Sequence, residues 1–227
     1  MKYCCSDLHG CFNEFIKLLK KINFSGNDTM YVLGDNIDRG HQSIELLKYI
    51  FEHDNIVSLI GNHEEFLLDY IDKGFNDSNT SLWDENDGEI TRRAINKLGK
   101  DDPVLFKKII ENIKTCDSCI ILKPYILSHA GYNAAKLKNM APTIESLGKM
   151  THDDFIWSRE DFFKCKGIDD HITMLITLEP VFQTAKKRRN CESRRDNYAL
   201  TYKNTAFPIK IVSFTRFFKK NYILQYT

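Results

Sequence analysis

Short apolar runs alternate with amphipathic stretches through the first half of the chain. Lys2 to Cys5 (KYCC) reads as a strand that enters the polar cluster SDLHG. In CFNEFIKLLKKI the apolar positions 12, 15, 16, 18, 19 and 22 form a helical stripe. TMYVLGD predicts a strand, SIELLKYIFEH a second amphipathic helix and IVSLIGN a third strand. HEEFLLDYIDKG predicts a third helix ending at Gly74. Strands that alternate with helices imply βαβ units on a largely parallel sheet. Residues 76–115 carry a helical pattern with a polar loop around LWDENDGEIT. CIILKPYILSHAGY returns to strand, as a hairpin turning at Lys123-Pro124.

The polar residues cluster where the apolar strands stop. Asp7 and His9 follow the first strand, Asp35 and Asp38 the second, Asn62, His63 and Glu64 the third, and His129 a later one. Ligands bind at the carboxyl ends of strands in α/β sheets. Asp, His and Asn without cysteine suit Mn, Fe or Zn as a working ion rather than a structural Cys-rich zinc site. Asp7 and His9 are two apart, so on a strand they point to the same side. A bridging carboxylate such as Asp35 can hold two cations roughly 3.5–4 Å apart. A single such cluster could equally be a helix cap or a turn. Four of them, each at the end of an apolar strand, favour a metal site.

Composition narrows the class. The chain has 227 residues, enough for one substantial core, with 42% apolar and 28% charged residues. No apolar run approaches the roughly 18–20 residues of a membrane span. The N-terminal MKYCCSDLHG turns polar too early for a signal peptide. Seven cysteines without framework spacing point to a reducing, cytoplasmic setting. Cys116 and Cys119 form a CxxC that reads as a pair of partly buried thiols. The net charge of +1 hides an asymmetry: residues 183–227 hold 11 basic and 2 acidic side chains, a charge of +9, and the remainder carries −8.

The motifs DxHG (Asp7 to Gly10), GDxxDRG (Gly34 to Gly40) and GNHE (Gly61 to Glu64), in this order, resemble the signature of the calcineurin-like metallophosphoesterases. DRG narrows the resemblance to the phosphoprotein phosphatase branch, and it covers about Tyr3 to Glu160. LWDENDGEIT resembles a W-x-x-N-G-G-x-x-T loop of bacterial and phage-type members, with Asp87 where a glycine is usual. FIWSRE resembles a W-x-R segment that supplies a substrate arginine.

The resemblance implies an α/β fold, a sandwich of two mixed β-sheets flanked by α-helices. It implies two divalent metal ions, with Mn first and Fe or Zn as alternatives. Asp7 and His9 would hold the first, Asp35 would bridge, and Asn62 and His129 would hold the second. The implied reaction is direct attack of a metal-bound hydroxide on a phosphomonoester, with a serine/threonine phosphoprotein or phosphopeptide as substrate. His63 would protonate the leaving oxygen and Asp38 would orient it. Arg39, Arg159 and Asn86 would bind substrate, the two guanidiniums matching phosphoryl oxygens. Cleavage of a dinucleoside polyphosphate uses the same core and is the alternative. A non-catalytic phosphate-binding relative that has lost its second metal is another.

The resemblance fails after Arg159. The family supplies a G-H-T segment there, whose histidine is a further metal ligand, and then a glycine-rich hairpin. Here no G-H pair follows, and the last glycine is Gly167. The expected division is a catalytic domain over 1–182 and an atypical basic tail over 183–227. A tail with this charge and no glycine turns is expected to pack poorly. A reading-frame change, a divergent end with a solvated basic loop, and a nucleic-acid element all fit. The last is disfavoured because no aromatics interleave the basic cluster. His171 is the nearest substitute for the missing ligand, but it precedes the apolar run that a family ligand follows.

Overall fold

The computed structural model describes residues 1–74, 78–122, 125–140 and 143–158, with further strands at 173–175, 209–213 and 222–224. The order begins β1 (Lys2–Cys5), α1 (Phe12–Lys21), β2 (Thr29–Val32), α2 (Ser43–Phe51), β3 (Ile56–Ser58) and α3 (Asn62–Lys73). Three more helices follow: α4 (Ser78–Glu85), α5 (Glu89–Asp101) and α6 (Pro103–Lys114). Then come β4 (Cys119–Leu122), β5 (Tyr125–Ser128), α7 (Ala134–Lys138), α8 (Ile144–Leu147) and α9 (Asp153–Ile156). Strands β6 (Thr173–Leu175), β7 (Ile209–Ser213) and β8 (Tyr222–Leu224) complete the order. The chain divides into two units, Met1–Asp117 with Pro208–Thr227, and Ser118–Phe207. Strands β7 and β8 therefore belong with the N-terminal unit.

The first unit contains a five-stranded sheet in the order β3-β2-β1-β7-β8. Strands β3, β2, β1 and β7 run parallel and β8 is antiparallel to β7. One core lies between this sheet and its helices. Tyr3, Cys5, Met30 and Val32 from the strands bury against Phe15, Leu18 and Leu19 of α1 and Leu46 and Ile50 of α2. Helix α1 keeps Glu14 in its first turn and Lys20 and Lys21 in its last, matching the helix dipole at both ends. Helix α3 stops at Gly74, whose φ of 82° only glycine takes without strain. Helix α6 starts with Pro103 after Asp102, whose carboxylate accepts the Leu105 N–H at 3.0 Å.

The second unit has a mixed three-stranded sheet, β4-β5-β6. Leu122 pairs with Tyr125, as the expected hairpin requires, and the turn residues 123 and 124 lie outside the described residues. Its core gathers Ile126, Tyr132, Leu137, Leu147 and Phe155. Both sheets are mixed, as expected; their stacking face to face stays an expectation of the resemblance. Cys116 and Cys119 are free thiols, each half-buried. No helix among the described residues is long and apolar enough to cross a membrane.

Two local expectations are corrected. The polar loop around LWDENDGEIT is only a turn at residues 86–88, because Leu82 to Glu85 finish α4 and Glu89 opens α5. Part of the basic tail is strand: β7 pairs in parallel with β1 from Lys2↔Ile209, and β8 pairs with β7 from Ile211↔Leu224. The segment IKIVS is rich in β-branched residues, which favours a strand beside β1.

Candidate active site

The site begins where β1 and β2 stop. Asp7 and His9 do not lie on β1, which ends at Cys5. Both have left-handed backbones, with φ of 54° and 42°, so strand alternation does not explain their direction. The loop after β1 is instead laddered onto the loop after β2. Asp7 N–H donates to Gly34 O (3.2 Å), His9 N–H to Asp35 O (2.9 Å) and Gly10 N–H to Asn36 O (2.7 Å). This ladder brings Asp7 Oδ1 to 3.9 Å from His9 Nε2.

Asp35, Asp38 and Arg39 also have positive φ, at 55°, 73° and 61°. Each such non-glycine residue costs on the order of 1–2 kcal/mol, and the strain persists only where surroundings hold it. For Asp35 the holder is Glu64. Its buried carboxylate accepts the N–H groups of Asp35 (2.9 Å), Asn36 (2.6 Å) and Gly61 (2.8 Å). Gly34 lets the β2 and β3 exits meet: with φ of 86°, a Cβ there would stand 2.6 Å from Gly61 N.

Three buried side chains converge on one point. The His9, Asp35 and His63 ligand atoms lie within 4.8 Å of one another. Asp35 Oδ1 accepts the His63 backbone N–H at 3.2 Å, and its Oδ2 lies 3.9 Å from His9 Nε2 and 3.8 Å from His63 Nε2. With ligand bonds of about 2.0–2.2 Å, two donors of one ion stand roughly 3–4 Å apart, so the spacing fits a divalent cation. His9 Nδ1–H donates to Ile37 O at 2.8 Å, which turns the Nε2 lone pair into the cluster. Burial pulls the His9 pKa down, helped by His63 and Arg39 against the carboxylates of Asp35 and Asp7, and so favours the neutral ligand form.

His63 differs from His9 through Asp38. Its Nδ1 donates to Asp38 Oδ2 at 2.5 Å. Burial lowers its pKa, but the charge of Asp35 and the hydrogen bond and charge of Asp38 outweigh that and raise it to about 9. The ring is thus oriented by Asp38 and favoured as imidazolium, with a proton on each nitrogen. The sequence reading kept His63 outside the ligand set. Its Nε2 nevertheless lies in the cluster, because Asp35 faces both imidazoles, and it would take a cation only in exchange for its proton.

Arg39 is half-buried, with Nη1 donating to His9 Nε2 at 2.7 Å and Nη2 lying 3.4 Å from His63 Nε2. Its fork therefore lies beside the cluster. Asn62 is the buried first residue of α3. Asn86 is half-buried and donates to Leu82 O at 2.7 Å, so its amide serves the end of α4. His129 is fully buried just after β5 in the second unit. The neighbouring Ser128 hydroxyl there donates to Gly131 O at 2.9 Å. Arg159 and His171 lie outside the described residues. Sequence reasoning missed Trp83 and Thr91, whose side chains both reach Asp38; their signal was the W and T of the loop motif.

The fold and the cluster define an α/β protein with a cation-competent set of imidazoles and carboxylate at its strand ends. The family model described as calcineurin-like phosphoesterase matches residues 3–213, and the chain belongs to that family. The match runs through β7, further than the motifs reach. A symmetrical bis(5'-nucleosyl)-tetraphosphatase of Chromobacterium violaceum is 41% identical over 75 residues, 32% of this chain and 27% of that protein. Its counterpart from Neisseria gonorrhoeae is 43% identical over 68 residues, 29% of this chain and 25% of that protein. The chain thus spans about a quarter of the length of these curated relatives. Among solved structures, a yeast (Saccharomyces cerevisiae) protein serine/threonine phosphatase overlaps with a TM-score of 0.43 at 21% identity, covering 68% of this chain and 43% of that one. A metallophosphoesterase from Sphaerobacter thermophilus overlaps with a TM-score of 0.38 at 16% identity, covering 60% and 53%.

Proposed function

We propose that this protein is a divalent-metal-dependent phosphoesterase, with dinucleoside polyphosphates as its first substrate class. One observation carries the reading: the buried His9–Asp35–His63 cluster has Asp38 anchored behind His63. Asp7, His9, Asp35 and Asn62 would hold metal, and His129 stays a proposed ligand on the resemblance alone. Bound there, a divalent cation supplies Lewis-acid charge and a water of lowered pKa.

The remaining work falls to the chain. Asp38 accepts from His63 Nδ1–H and favours the imidazolium, so Nε2 carries a proton that can pass to the leaving oxygen. Arg39 offers a planar pair of donors to phosphoryl oxygens beside that proton. Arg159 is proposed to add a second guanidinium. The names of the curated relatives support a dinucleoside tetraphosphate as substrate. The W-x-x-N resemblance of Trp83 and Asn86 supports a second reading, a serine/threonine protein phosphatase.

The test loads the full chain with Mn²⁺ and offers it diadenosine tetraphosphate, a phosphoserine peptide and p-nitrophenyl phosphate. Symmetrical cleavage of the first yields two ADP and supports the leading reading. Phosphate release from the peptide alone supports the second. Stoichiometric metal without turnover of any substrate would overturn both and leave a phosphate-binding relative.

A further inference from the structure

Asp38 is held from two directions. Its Oδ2 accepts both His63 Nδ1–H at 2.5 Å and the indole Nε1–H of Trp83 at 2.6 Å. Its backbone N–H donates to Thr91 Oγ1 at 2.9 Å and lies 3.3 Å from Ser43 Oγ, and those two hydroxyls are 3.1 Å apart. Trp83 and Thr91 are fully buried.

The segment carrying these residues is built to present them. Trp83 sits in the last turn of α4, and Thr91 in the first turn of α5. Gly88 is packed against the indole: a Cβ there would overlap ring atoms Cδ1, Nε1 and Cγ. Gly88 therefore sets the plane in which Nε1 points at Asp38. The Trp83 ring also lies 5.7 Å from that of Tyr70, which backs it on another side. Arg39 N–H reaches back to Asp87 O at 3.4 Å, tying the turn to the residue after Asp38.

We propose that Trp83 and Thr91 are positioning residues for the reaction: they clamp Asp38, and through it the His63 ring, so that Nε2 faces the reacting phosphate. Trp83 fixes the carboxylate, so Oδ2 cannot swing away when the imidazole moves its proton. Thr91 fixes the backbone of Asp38 in its left-handed conformation, with φ of 73°. The W, the second G and the T of the loop motif are thus explained by this clamp. The inference rests on the phosphoesterase reading for its kinetic part alone.

The kinetic arm compares Trp83→Phe and Thr91→Val on phenyl phosphate and p-nitrophenyl phosphate in Mn²⁺. Each variant should lose about ten-fold in kcat on phenyl phosphate and clearly less on p-nitrophenyl phosphate, whose leaving group needs little protonation. Bound metal should be unchanged, and Thr91→Ser should restore the rate. Equal loss on both substrates, with metal and thermal melting unchanged, overturns the proposal. The second arm needs no turnover. In ¹H–¹⁵N spectra the Trp83 indole proton should exchange far more slowly than that of N-acetyltryptophanamide in the same buffer, and Asp38→Asn should shift it. A Trp83 indole that exchanges as fast as that of the free amide overturns the clamp. If the wild type cleaves neither ester, the functional reading fails while this arm still decides the clamp.

Discussion

The carboxylate of Glu64 accepts the backbone N–H of Asp35 at 2.9 Å, and so holds the central carboxylate of the cluster from a different strand exit. The same carboxylate takes the N–H groups of Asn36 and Gly61. Glu64→Ala would leave three buried donors without an acceptor. At about 1–3 kcal/mol for each orphaned group, a loss of roughly 3 kcal/mol or more is expected. Urea denaturation measures it, and Glu64→Gln should lose less because one acceptor oxygen remains. A loss below about 1 kcal/mol for the alanine variant would mean that another group takes over these donors.

His63→Asn should lower kcat by roughly 10²–10⁴-fold on an alkyl phosphate while leaving bound metal unchanged. The loss should shrink on p-nitrophenyl phosphate. Asp38→Asn should follow the same pattern more weakly. Metal content of both variants separates the two possible roles of His63: if His63→Asn strips metal, the ring is a ligand, as its place in the cluster permits.

Asp87 occupies the position where the loop motif usually has glycine, and its φ is 66°. Asp87→Gly removes the Cβ penalty of that conformation and gives back some stability through the freer unfolded chain. The net expectation is a gain of about 0.5–1 kcal/mol, or a rise of about 2 °C in thermal midpoint. Calorimetry checks it, and a fall in the midpoint would show that the Asp87 side chain contributes more than its backbone costs.

Asp154 sits in a nest of donors: Asn133 Nδ2 at 3.0 Å, Lys136 Nζ at 2.5 Å, and Thr151 N–H and Oγ1 at 2.8 and 2.9 Å. Burial pushes its carboxyl up, but Lys136, Thr151 and Asn133 together bring it down to about 2. The folded pKa lies below the ordinary unfolded value of about 3.9, so its stabilisation is complete above that pH. It is lost as pH falls from about 4 to about 2. Asp154→Asn should melt lower at neutral pH by about 2–4 °C and lose less than the wild type on acidification. Parallel melting curves for the two proteins across that window would exclude the contribution.

His9, Asp35 and His63, which the structure brings together, were legible as polar residues recurring at the ends of successive apolar strands. The roles inside that set were less legible. Asp7 and His9 are brought together by hydrogen bonds to the loop after β2, not by strand alternation. Spacing along one segment cannot report a ladder made with another. Trp83 and Thr91 were read as parts of a loop, because nothing local says that one side chain ends on the carboxylate and the other on the backbone N–H of Asp38, 45 and 53 positions away.

The sequence by itself determined the alternation of strands and helices in the first half, through the 2- and 3.6-residue periods of burial. It also determined the donor types of the site, because ligand chemistry belongs to the side chain. Tertiary structure decided the rest. Strands β7 and β8 join the first sheet although they follow a basic, glycine-free stretch, since ladder pairing with β1 depends on a partner some two hundred residues away. The same holds for the left-handed backbones of Asp35, Asp38 and Arg39. A strained conformation survives only when non-local bonds such as those from Glu64 and Thr91 hold it, and those bonds exist only once the chain has folded.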